Sequence, residues 1–325
     1  MAQSDIDVVG IGNAIVDVLS QAEDDFLAAH GLPKGLMTLI DAERADSLYG
    51  AMGPGVEMSG GSAANTIAGL ASLGGRGAFI GKVRDDQLGA VFRHDITAAG
   101  VRFDTAAAAD SAPTARCLIL VTPDAQRTMN TFLGACVELG PDDIDSETIE
   151  SAQITYLEGY LWDPPGAKAA FRKAVDIAHG AGRKVALSLS DPFCVDRYRD
   201  EFLELVEHGV DILFANEDEL KSLYQVDSFD DGLQHIRGHC EVAALTRSEK
   251  GSVIVSGDAV HVIDAAPVNK VVDSTGAGDL YAAGVLYGLT HGLDLHECGR
   301  LGGLAAAEVI SHFGARPETA LKDLL

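Results

Sequence analysis

The sequence predicts an α/β protein in which helices cover both faces of a mainly parallel β-sheet. Short runs rich in β-branched and other apolar residues alternate along the chain with longer amphipathic segments. This alternation is typical of β–α–β units, whose strands lie side by side in one doubly wound sheet. A chain of 325 residues, 47% of them hydrophobic, is long enough to bury such a sheet. No Ser/Gly-rich linker divides it, so we expect a single unit over residues 1–325.

The alternating segments can be placed in chain order. Strands are predicted at 7–11, 77–83, 154–158, 184–189, 211–214, 242–246 and 252–255. Helices are predicted at 63–73, 87–99, 166–180, 195–207 and 217–224, and the chain after Asp279 is nearly all helical in pattern.

Two regions interrupt the alternation, because their predicted strands have no crossover helix between them. These strands are 16–21 and 35–39 in the first region, and 102–105, 116–122 and 128–133 in the second. The dipeptide Pro123-Asp124 is a turn signal, so the last two strands should form a hairpin. We expect a small β-layer over one end of the main sheet, made from roughly residues 13–50 and 100–135.

Composition narrows the function. With 49 acidic against 24 basic residues the net charge is −25, which argues against a nucleic-acid partner. Five dispersed cysteines without a CxxC pair favour reduced thiols. The first residues lack a basic signal-peptide region, and no apolar run reaches the ~18 residues of a membrane span. We therefore expect a cytoplasmic protein with no membrane partner.

The most informative segment is DSTGAGD, residues 273–279. Gly276, Ala277 and Gly278 leave successive backbone N–H groups accessible to an anion, and a helical pattern over 280–291 places them at a helix N-terminus. Asp279 falls in the first turn beside that anion site. A carboxylate there would repel a resting phosphate, so we expect it to accept a proton from an attacking hydroxyl.

A second Gly-rich segment, GGSAAN at residues 60–65, precedes a predicted helix. Gly61 permits close approach of a ligand to the backbone, Ser62 is a candidate N-cap, and Asn65 offers an amide to a polyol. On its own this segment would be read as a plain capped turn. Upstream, Asp17 lies between two apolar runs, where a carboxylate suits two adjacent sugar hydroxyls.

Two other segments begin like nucleotide-binding motifs, but each lacks a residue that its motif requires. Residues 8–15 begin like a dinucleotide fingerprint, but Ile15 occupies the position of the third glycine. Gly81-Lys82-Val83 lacks the Ser or Thr of a P-loop. NEDE at residues 216–219 follows a predicted strand; Asn216 can cap the next helix, and strand ends of this kind also bind ligands.

Taken in order, Gly12-Asn13 with Asp17, GGSAAN, NEDE and DSTGAGD resemble the motifs of the ribokinase-like (PfkB) carbohydrate kinases over essentially the whole chain. Residues 12–18, 189–193 and 210–217 are most similar to the adenosine kinases of that family. The resemblance implies a ribokinase-like three-layer α/β/α fold with a small β-sheet lid. It also implies transfer of the γ-phosphoryl group of ATP, with Mg²⁺, to the 5′-hydroxyl of adenosine.

The resemblance further implies roles for individual residues. On the acceptor side these are Asn13, Asp17, Gly61, Ser62, Asn65 and, against the adenine, Phe193. Arg127 and Thr275 are expected near the phosphates, Asn216, Thr246 and Gly251 around the nucleotide, and Glu219 at Mg²⁺ through water. Arg247 and Ser248 depart from the family's nucleotide loop, which usually carries an early glycine.

Several alternatives stay open at this stage. The acceptor is adenosine, another nucleoside, or a simple sugar such as ribose or fructose. A non-catalytic nucleoside sensor on the same fold is the rival from another class, although Asp279 and both glycines of the anion loop are present. A monovalent-cation requirement and the choice between monomer and homodimer are also left open.

Overall fold

The structure, a computed structural model, describes residues 5–124 and 126–324. Within these residues the strands are β1 (Ile6–Ile11), β2 (Ile15–Gln21), β3 (Met37–Leu39), β4 (Gly55–Gly60), β5 (Gly77–Ile80), β6 (Ala115–Val121), β7 (Arg127–Phe132), β8 (Ala152–Glu158), β9 (Lys184–Ser188), β10 (Ile212–Asn216), β11 (Val242–Thr246), β12 (Ser252–Ser256) and β13 (Ala259–Ile263). The α-helices are α1 (Asp24–Ala29), α2 (Ala42–Ala51), α3 (Ser62–Ser72), α4 (Gln87–Ala98), α5 (Ser146–Ser151), α6 (Pro165–Gly180), α7 (Pro192–His208), α8 (Glu217–Tyr224), α9 (Phe229–Ile236), α10 (Ala277–Thr290) and α11 (Leu295–Val309).

The main sheet has eight strands in the order β13-β12-β11-β10-β9-β8-β1-β5. From β5 to β11 all neighbours are parallel, whereas β12 and β13 add an antiparallel hairpin at one edge. The predicted mainly parallel sheet is therefore confirmed. Because the strands are parallel, the carboxyl ends of β1, β8, β9, β10 and β11 meet along one edge of the sheet, where folds of this kind bind ligands.

Side chains alternate between two core layers. In β1, Val9 and Ile11 pack in the layer that contains α6 and α7, and Val8 packs in the layer that contains α3 and α10. Every residue of β1 is buried, which explains the continuous apolar runs seen in the sequence. Helices on both faces complete the three-layer arrangement.

The predicted β-layer is a second, five-stranded sheet in the order β3-β7-β6-β2-β4, and the β6–β7 hairpin is confirmed. Two expectations about it were wrong. The strand β4 lies beyond residue 50, and it was missed because Gly55 and Gly60 at its ends read as turn signals. Residues 102–105 form no strand of this sheet; Arg102 instead makes an isolated bridge to Ala78 at the edge of the main sheet.

Short elements account for the other differences. The strand β13 and the helices α1, α2, α5 and α9 were not predicted, since each is ten residues or shorter and so gives only a short window for a periodic pattern. Among the described residues, no helix has the length and apolar character that crossing a bilayer requires.

Candidate active site

The predicted site residues gather at the carboxyl edge of the main sheet. Asn13 follows β1, Asn216 ends β10, and Thr246 ends β11 as the register partner of Asn216. The helices α3 and α10, which carry GGSAAN and Asp279, pack against each other on one face of the sheet. The fold thus brings together segments that are far apart in sequence.

Asp279 lies in the first turn of α10 and is half-buried. Its Oδ1 accepts a hydrogen bond from Oγ of Ser62 at 2.6 Å, and its Oδ2 accepts one from Nδ2 of Asn65 at 2.9 Å. Burial raises the pKa of the carboxyl, against these two hydrogen bonds and the positive charge of Arg316. A fixed carboxylate with a raised pKa in a helix N-terminal site has the properties of a general base.

The start of α3 differs from the prediction in one respect. Its N-cap is Gly61, not Ser62, and Gly61 has φ 94°, where an added Cβ would lie 2.1 Å from the carbonyl oxygen of Asn13. Glycine is therefore required there. Ser62 becomes the first helical residue, so its hydroxyl is free to bind Asp279 instead of capping the helix.

Glu158, at the end of β8, caps α3 from a neighbouring strand. Its Oε2 accepts from the N–H of Ala63 at 2.8 Å, and its Oε1 accepts from Nδ2 of Asn13 at 2.7 Å. Burial raises the pKa of Glu158 to about 7. The amide of Asn13 is consequently turned to Glu158, and Asn13 supports the acceptor site by fixing this corner.

Asp17 in β2 faces the same region from the second sheet. Its carboxylate lies against the backbone of Gly60, where an added Cβ would come within 2.3 Å of Oδ2. Burial raises the pKa of Asp17 to about 6, opposed by the positive charges of Arg127 and Arg316. No hydrogen bond to its side chain is present in the described part of the chain, which leaves its oxygens available to a ligand.

The anion loop has the expected shape. Gly276 adopts φ 78°, and an added Cβ would lie 2.8 Å from Cβ of Ala315. Gly278 is exposed, and the space next to its Cα is open. The N–H of Ala277 donates a long bond of 3.3 Å to Ser274, so it is less available to an anion than the prediction assumed.

Arg127 at the start of β7 reaches this loop from the second sheet. Its Nη1 pairs with Oδ1 of Asp273 at 2.5 Å and donates to Oγ1 of Thr275. Burial alone would raise the pKa of Asp273, but the bonds from Arg127 and from the N–H groups of Thr275 and Gly314 lower it. Arg127 is thus no solvated surface residue; it joins the second sheet to the loop before α10.

On the nucleotide side, Asn216 and Glu219 form a complete capping box at the start of α8. Oδ1 of Asn216 accepts from the N–H of Glu219 at 2.8 Å, while the carboxylate of Glu219 accepts from N and Nδ2 of Asn216 at 2.9 and 2.6 Å. Burial raises the pKa of Glu219 to about 7. Gly251, at φ 80°, immediately precedes β12, whose first residue Ser252 pairs with Thr246, the register partner of Asn216.

The expected Mg²⁺ can be tested against these contacts. Both oxygens of Glu219 are already bonded, so direct coordination would break the capping box. Among the described residues there is no cluster of three or more His, Cys, Asp or Glu that could hold a metal. Mg²⁺ commonly takes one or two carboxylates, waters and substrate phosphates, so the donor set fits an ion carried by the nucleotide and contacted by Glu219 through water.

Two exposed aromatic side chains lie shortly after the carboxyl ends of β8 and β9. Phe193 is 62% exposed in the first turn of α7, with the guanidinium of Arg197 4.6 Å from its ring centre. Tyr160 is 41% exposed just after β8. Burial and the negative charges of Asp191 and Asp279 raise the pKa of its hydroxyl. The motifs pointed to Phe193 and gave no signal for Tyr160, whose hydroxyl interacts with the charge of Asp279.

Three charged residues of the site were also missed or left without a role. Glu158 could have been noticed as an acid ending an otherwise apolar strand. Asp273 belongs to the predicted motif, but its pairing with Arg127 spans 146 positions. Arg316, in the loop after α11, follows no local pattern that marks it.

A mainly parallel sheet covered on both faces, a small second sheet and a hydrogen-bonded carboxylate beside a helix-terminal amide loop together are typical of a ribokinase-like phosphotransferase. Comparison with known proteins agrees: the profile of the pfkB family carbohydrate kinases matches residues 37–321. The chain belongs to this family, and it is an ATP-dependent nucleoside or sugar kinase.

The relatives include both adenosine kinases and a probable sugar kinase. The crystal structure of adenosine kinase from Sinorhizobium meliloti is 54% identical, with TM-score 0.91 and 98% of each chain covered. That of a probable sugar kinase protein from Rhizobium etli CFN 42 is 52% identical, with TM-score 0.92, covering 99% of this chain and 98% of that one. Adenosine kinase of Saccharomyces cerevisiae is 26% identical over 94% of this chain and 95% of its own length.

Proposed function

We propose that this kinase transfers the γ-phosphoryl group of ATP to the 5′-hydroxyl of a nucleoside, and that the nucleoside is adenosine, giving AMP and ADP. The observation that carries the proposal is the position of Asp279, held by Ser62 and Asn65 next to the anion loop. Because the carboxylate and the loop are adjacent, a hydroxyl bound at Asp279 can lose its proton next to a phosphoryl group bound at the loop. The similarity to the Sinorhizobium meliloti adenosine kinase supports the choice of acceptor.

In the proposed reaction Asp279 takes the proton of the 5′-hydroxyl while the oxygen of that hydroxyl forms a bond to the γ-phosphorus of ATP. The bond between the γ-phosphorus and the oxygen that bridges to the β-phosphate breaks, and ADP leaves. The N–H groups of Gly276 and Gly278 face the charge on the transferred group, with the dipole of α10 behind them. Mg²⁺ supplies charge neutralisation on the phosphates when bound, with Glu219 contacting it through water. Arg127, at the edge of the loop, adds a cation.

The ribose would lie between the second sheet and α3. Asp17 offers two acceptor oxygens to vicinal hydroxyls, and the buried Oδ1 of Asn65, which has no partner in the described structure, offers another acceptor. Tyr160 and Phe193 present aromatic surface to a base. A free sugar would leave this aromatic surface uncovered, which favours a nucleoside over ribose or fructose.

The test is an ATP-consumption screen against adenosine, other nucleosides, ribose and fructose, with products identified chromatographically. The account predicts that adenosine gives the highest kcat/KM and yields AMP. A higher kcat/KM for ribose or fructose would make the protein a sugar kinase. Binding of nucleosides without ATP consumption would make it a sensor and remove the catalytic proposal.

A further inference from the structure

The loop after α11 presses on the site with three consecutive residues. The N–H of Gly314 donates to Oδ2 of Asp273 at 3.0 Å. Ala315 lies so close to Gly276 that a side chain on that glycine would collide with it. Arg316 follows and turns its guanidinium inward. Residues 314–316 therefore brace both the anion loop and the region of the base.

The guanidinium of Arg316 joins two elements that carry acceptor-site residues. Its Nε donates to the carbonyl of Ser59 at 3.1 Å and its Nη2 to the hydroxyl of Ser59 at 2.9 Å, which fixes the end of β4 just before Gly60. Its Nη1 donates to the carbonyl of Ala64 in α3 at 2.7 Å. Ala64 stands between Ser62 and Asn65, the two residues that hold Asp279.

The same guanidinium faces carboxylates on three elements: Asp17 of β2, Asp95 of α4 and Asp279 of α10. Burial lowers the pKa of Arg316 to about 10, so it still carries its charge at neutral pH. The remaining titratable groups that share the field of Asp279 are Tyr156, Glu158 and Tyr160, of which only Glu158 contributes a further negative charge near neutral pH. Arg316 is therefore the cation whose charge offsets the negative charge of Asp279.

We propose that Arg316 is a positioning residue of the reaction, which fixes α3 against β4 and supplies the positive charge that keeps Asp279 ionised. The proposal rests on the phosphotransfer proposed above. A compact ammonium cannot reproduce the three-donor geometry of the guanidinium, and a neutral side chain reproduces neither the geometry nor the charge. These two kinds of substitution therefore separate the two parts of the role.

The experiment is the pH profile of kcat at saturating adenosine for Arg316→Met, Arg316→Lys and the wild type, with KM measured separately, so that the titration of Asp17 in the binding step does not enter the profile. Removing an opposite charge from the surroundings of a carboxylate raises its pKa by about one unit or more. Arg316→Met should shift the acidic limb upward by about one pH unit, so that its activity is lost mainly at low pH. Arg316→Lys should keep the wild-type limb and raise KM, because α3 is held less firmly. If Arg316→Met does not fold, Arg316→Gln takes its place.

Arg93 provides a matched control. Its guanidinium also donates to two backbone carbonyls, those of Phe103 and Thr105, but it shares no interaction with Asp279. Arg93→Met should lower the melting temperature without moving the acidic limb. An Arg316→Met enzyme that is only less stable, with a wild-type limb, would overturn the proposal.

Failure of the proposed function can be recognised separately. If the wild type transfers no phosphoryl group to any acceptor in the screen, the pKa of Asp279 is measured by NMR titration of its carboxyl carbon, assigned with Asp279→Asn. A higher pKa in Arg316→Met than in the wild type supports the charge balance even then. Equal values in the two proteins contradict it.

Discussion

The carboxylate of Glu158 accepts a hydrogen bond at 2.8 Å from the backbone N–H of Ala63, although the two residues are 95 positions apart. Through this contact the end of β8 caps α3, the helix whose Ser62 and Asn65 donate hydrogen bonds to Asp279. Because Gly61 has no side chain, the first turn of α3 depends on a carboxylate from elsewhere in the fold.

We predict that Glu158 makes stability depend on pH in an unusual direction. Burial raises the pKa of its carboxyl from 4.5 to about 7, so the folded protein binds this proton more tightly than the unfolded chain does. The free energy of unfolding should therefore fall as pH rises from about 4.5 to about 7, by on the order of 3 kcal/mol from this group. Glu158→Gln, which cannot ionise, should lack this part of the decline.

Urea unfolding of the wild type and Glu158→Gln at about pH 5 and about pH 8 checks the prediction. Glu150→Gln serves as control, because Glu150 is an exposed glutamate on α5. The gap between wild type and Glu158→Gln should change with pH, and that between wild type and Glu150→Gln should not. Parallel curves for all three proteins would show that Glu158 is not held as described.

We predict that removing Arg127 lowers both stability and rate. Its guanidinium is the cation paired with Asp273, and both side chains are at least nine-tenths buried. Arg127→Ala leaves that carboxylate unpaired, which should cost about 3 kcal/mol or more. The rate should fall far more than nucleoside affinity, since the expected role of Arg127 is at the phosphates.

The double variant Arg127→Ala/Asp273→Asn separates the two effects. Without the buried charge, stability should recover toward the wild-type value, as measured by thermal unfolding. The rate should stay low, because the cation is still missing. Recovery of both would mean that Arg127 only neutralises Asp273, and a loss of nucleoside affinity without a loss of rate would place Arg127 on the acceptor.

We predict that Asp17 makes the enzyme discriminate against 2′-deoxy substrates. A deoxynucleoside would leave part of a desolvated carboxylate without a partner, at about 1–3 kcal/mol, so kcat/KM should differ at least about tenfold between adenosine and 2′-deoxyadenosine. Burial raises the pKa of Asp17 to about 6. KM for adenosine should therefore rise as pH falls below about 6, where the carboxyl binds a proton. Equal kcat/KM for both nucleosides would remove Asp17 from the ribose site.

Asp17→Asn is the matched variant for this prediction. It keeps the shape and one acceptor oxygen but cannot change its charge with pH. Its KM for adenosine should show no rise below about pH 6, in contrast to the wild type. A rise of the same size in both proteins would assign the titration to another group.

We propose that the second sheet acts as a lid, and predict that it closes over the nucleoside. The sheet joins the rest of the chain through the segment around Gly60 and Gly61 and touches the anion loop through Arg127. Closure would exclude water from the transferred phosphoryl group. Hydrogen exchange should show added protection in β2, β4 and β6 when adenosine is bound, with α6 as internal reference. Unchanged exchange in these strands would contradict a moving lid.

The sequence was sufficient to predict those strands and helices whose ends are marked by residues within a short stretch of the chain. The strand β11 and the helix α8 begin and end at the predicted residues, because a short apolar run and a capping box are visible in a short window. The motif at 273–279 likewise predicted an acidic side chain in the first turn of a helix beside a glycine loop, and Asp279 has that position in α10.

What could not be predicted depends on contacts between distant segments. The cap supplied by Glu158 and the brace supplied by Arg316 join residues that are far apart in the chain. Ser62 was taken for the N-cap, since a serine before a helical run usually is one, whereas the positive φ of Gly61 moves the cap back by one residue. The strand β4 has glycine at both ends and forms only because β2 pairs with it along its whole length.

The central claim is that Asp279 is the general base, and a single-turnover measurement with Asp279→Asn tests it most directly. Asparagine is nearly isosteric with aspartate and keeps the oxygen that Ser62 binds, so folding and adenosine affinity should be largely preserved. With Mg²⁺ and saturating ATP, the rate of AMP formation should fall by about 10²–10⁴. A variant that binds adenosine normally and forms AMP at the wild-type rate would contradict the account.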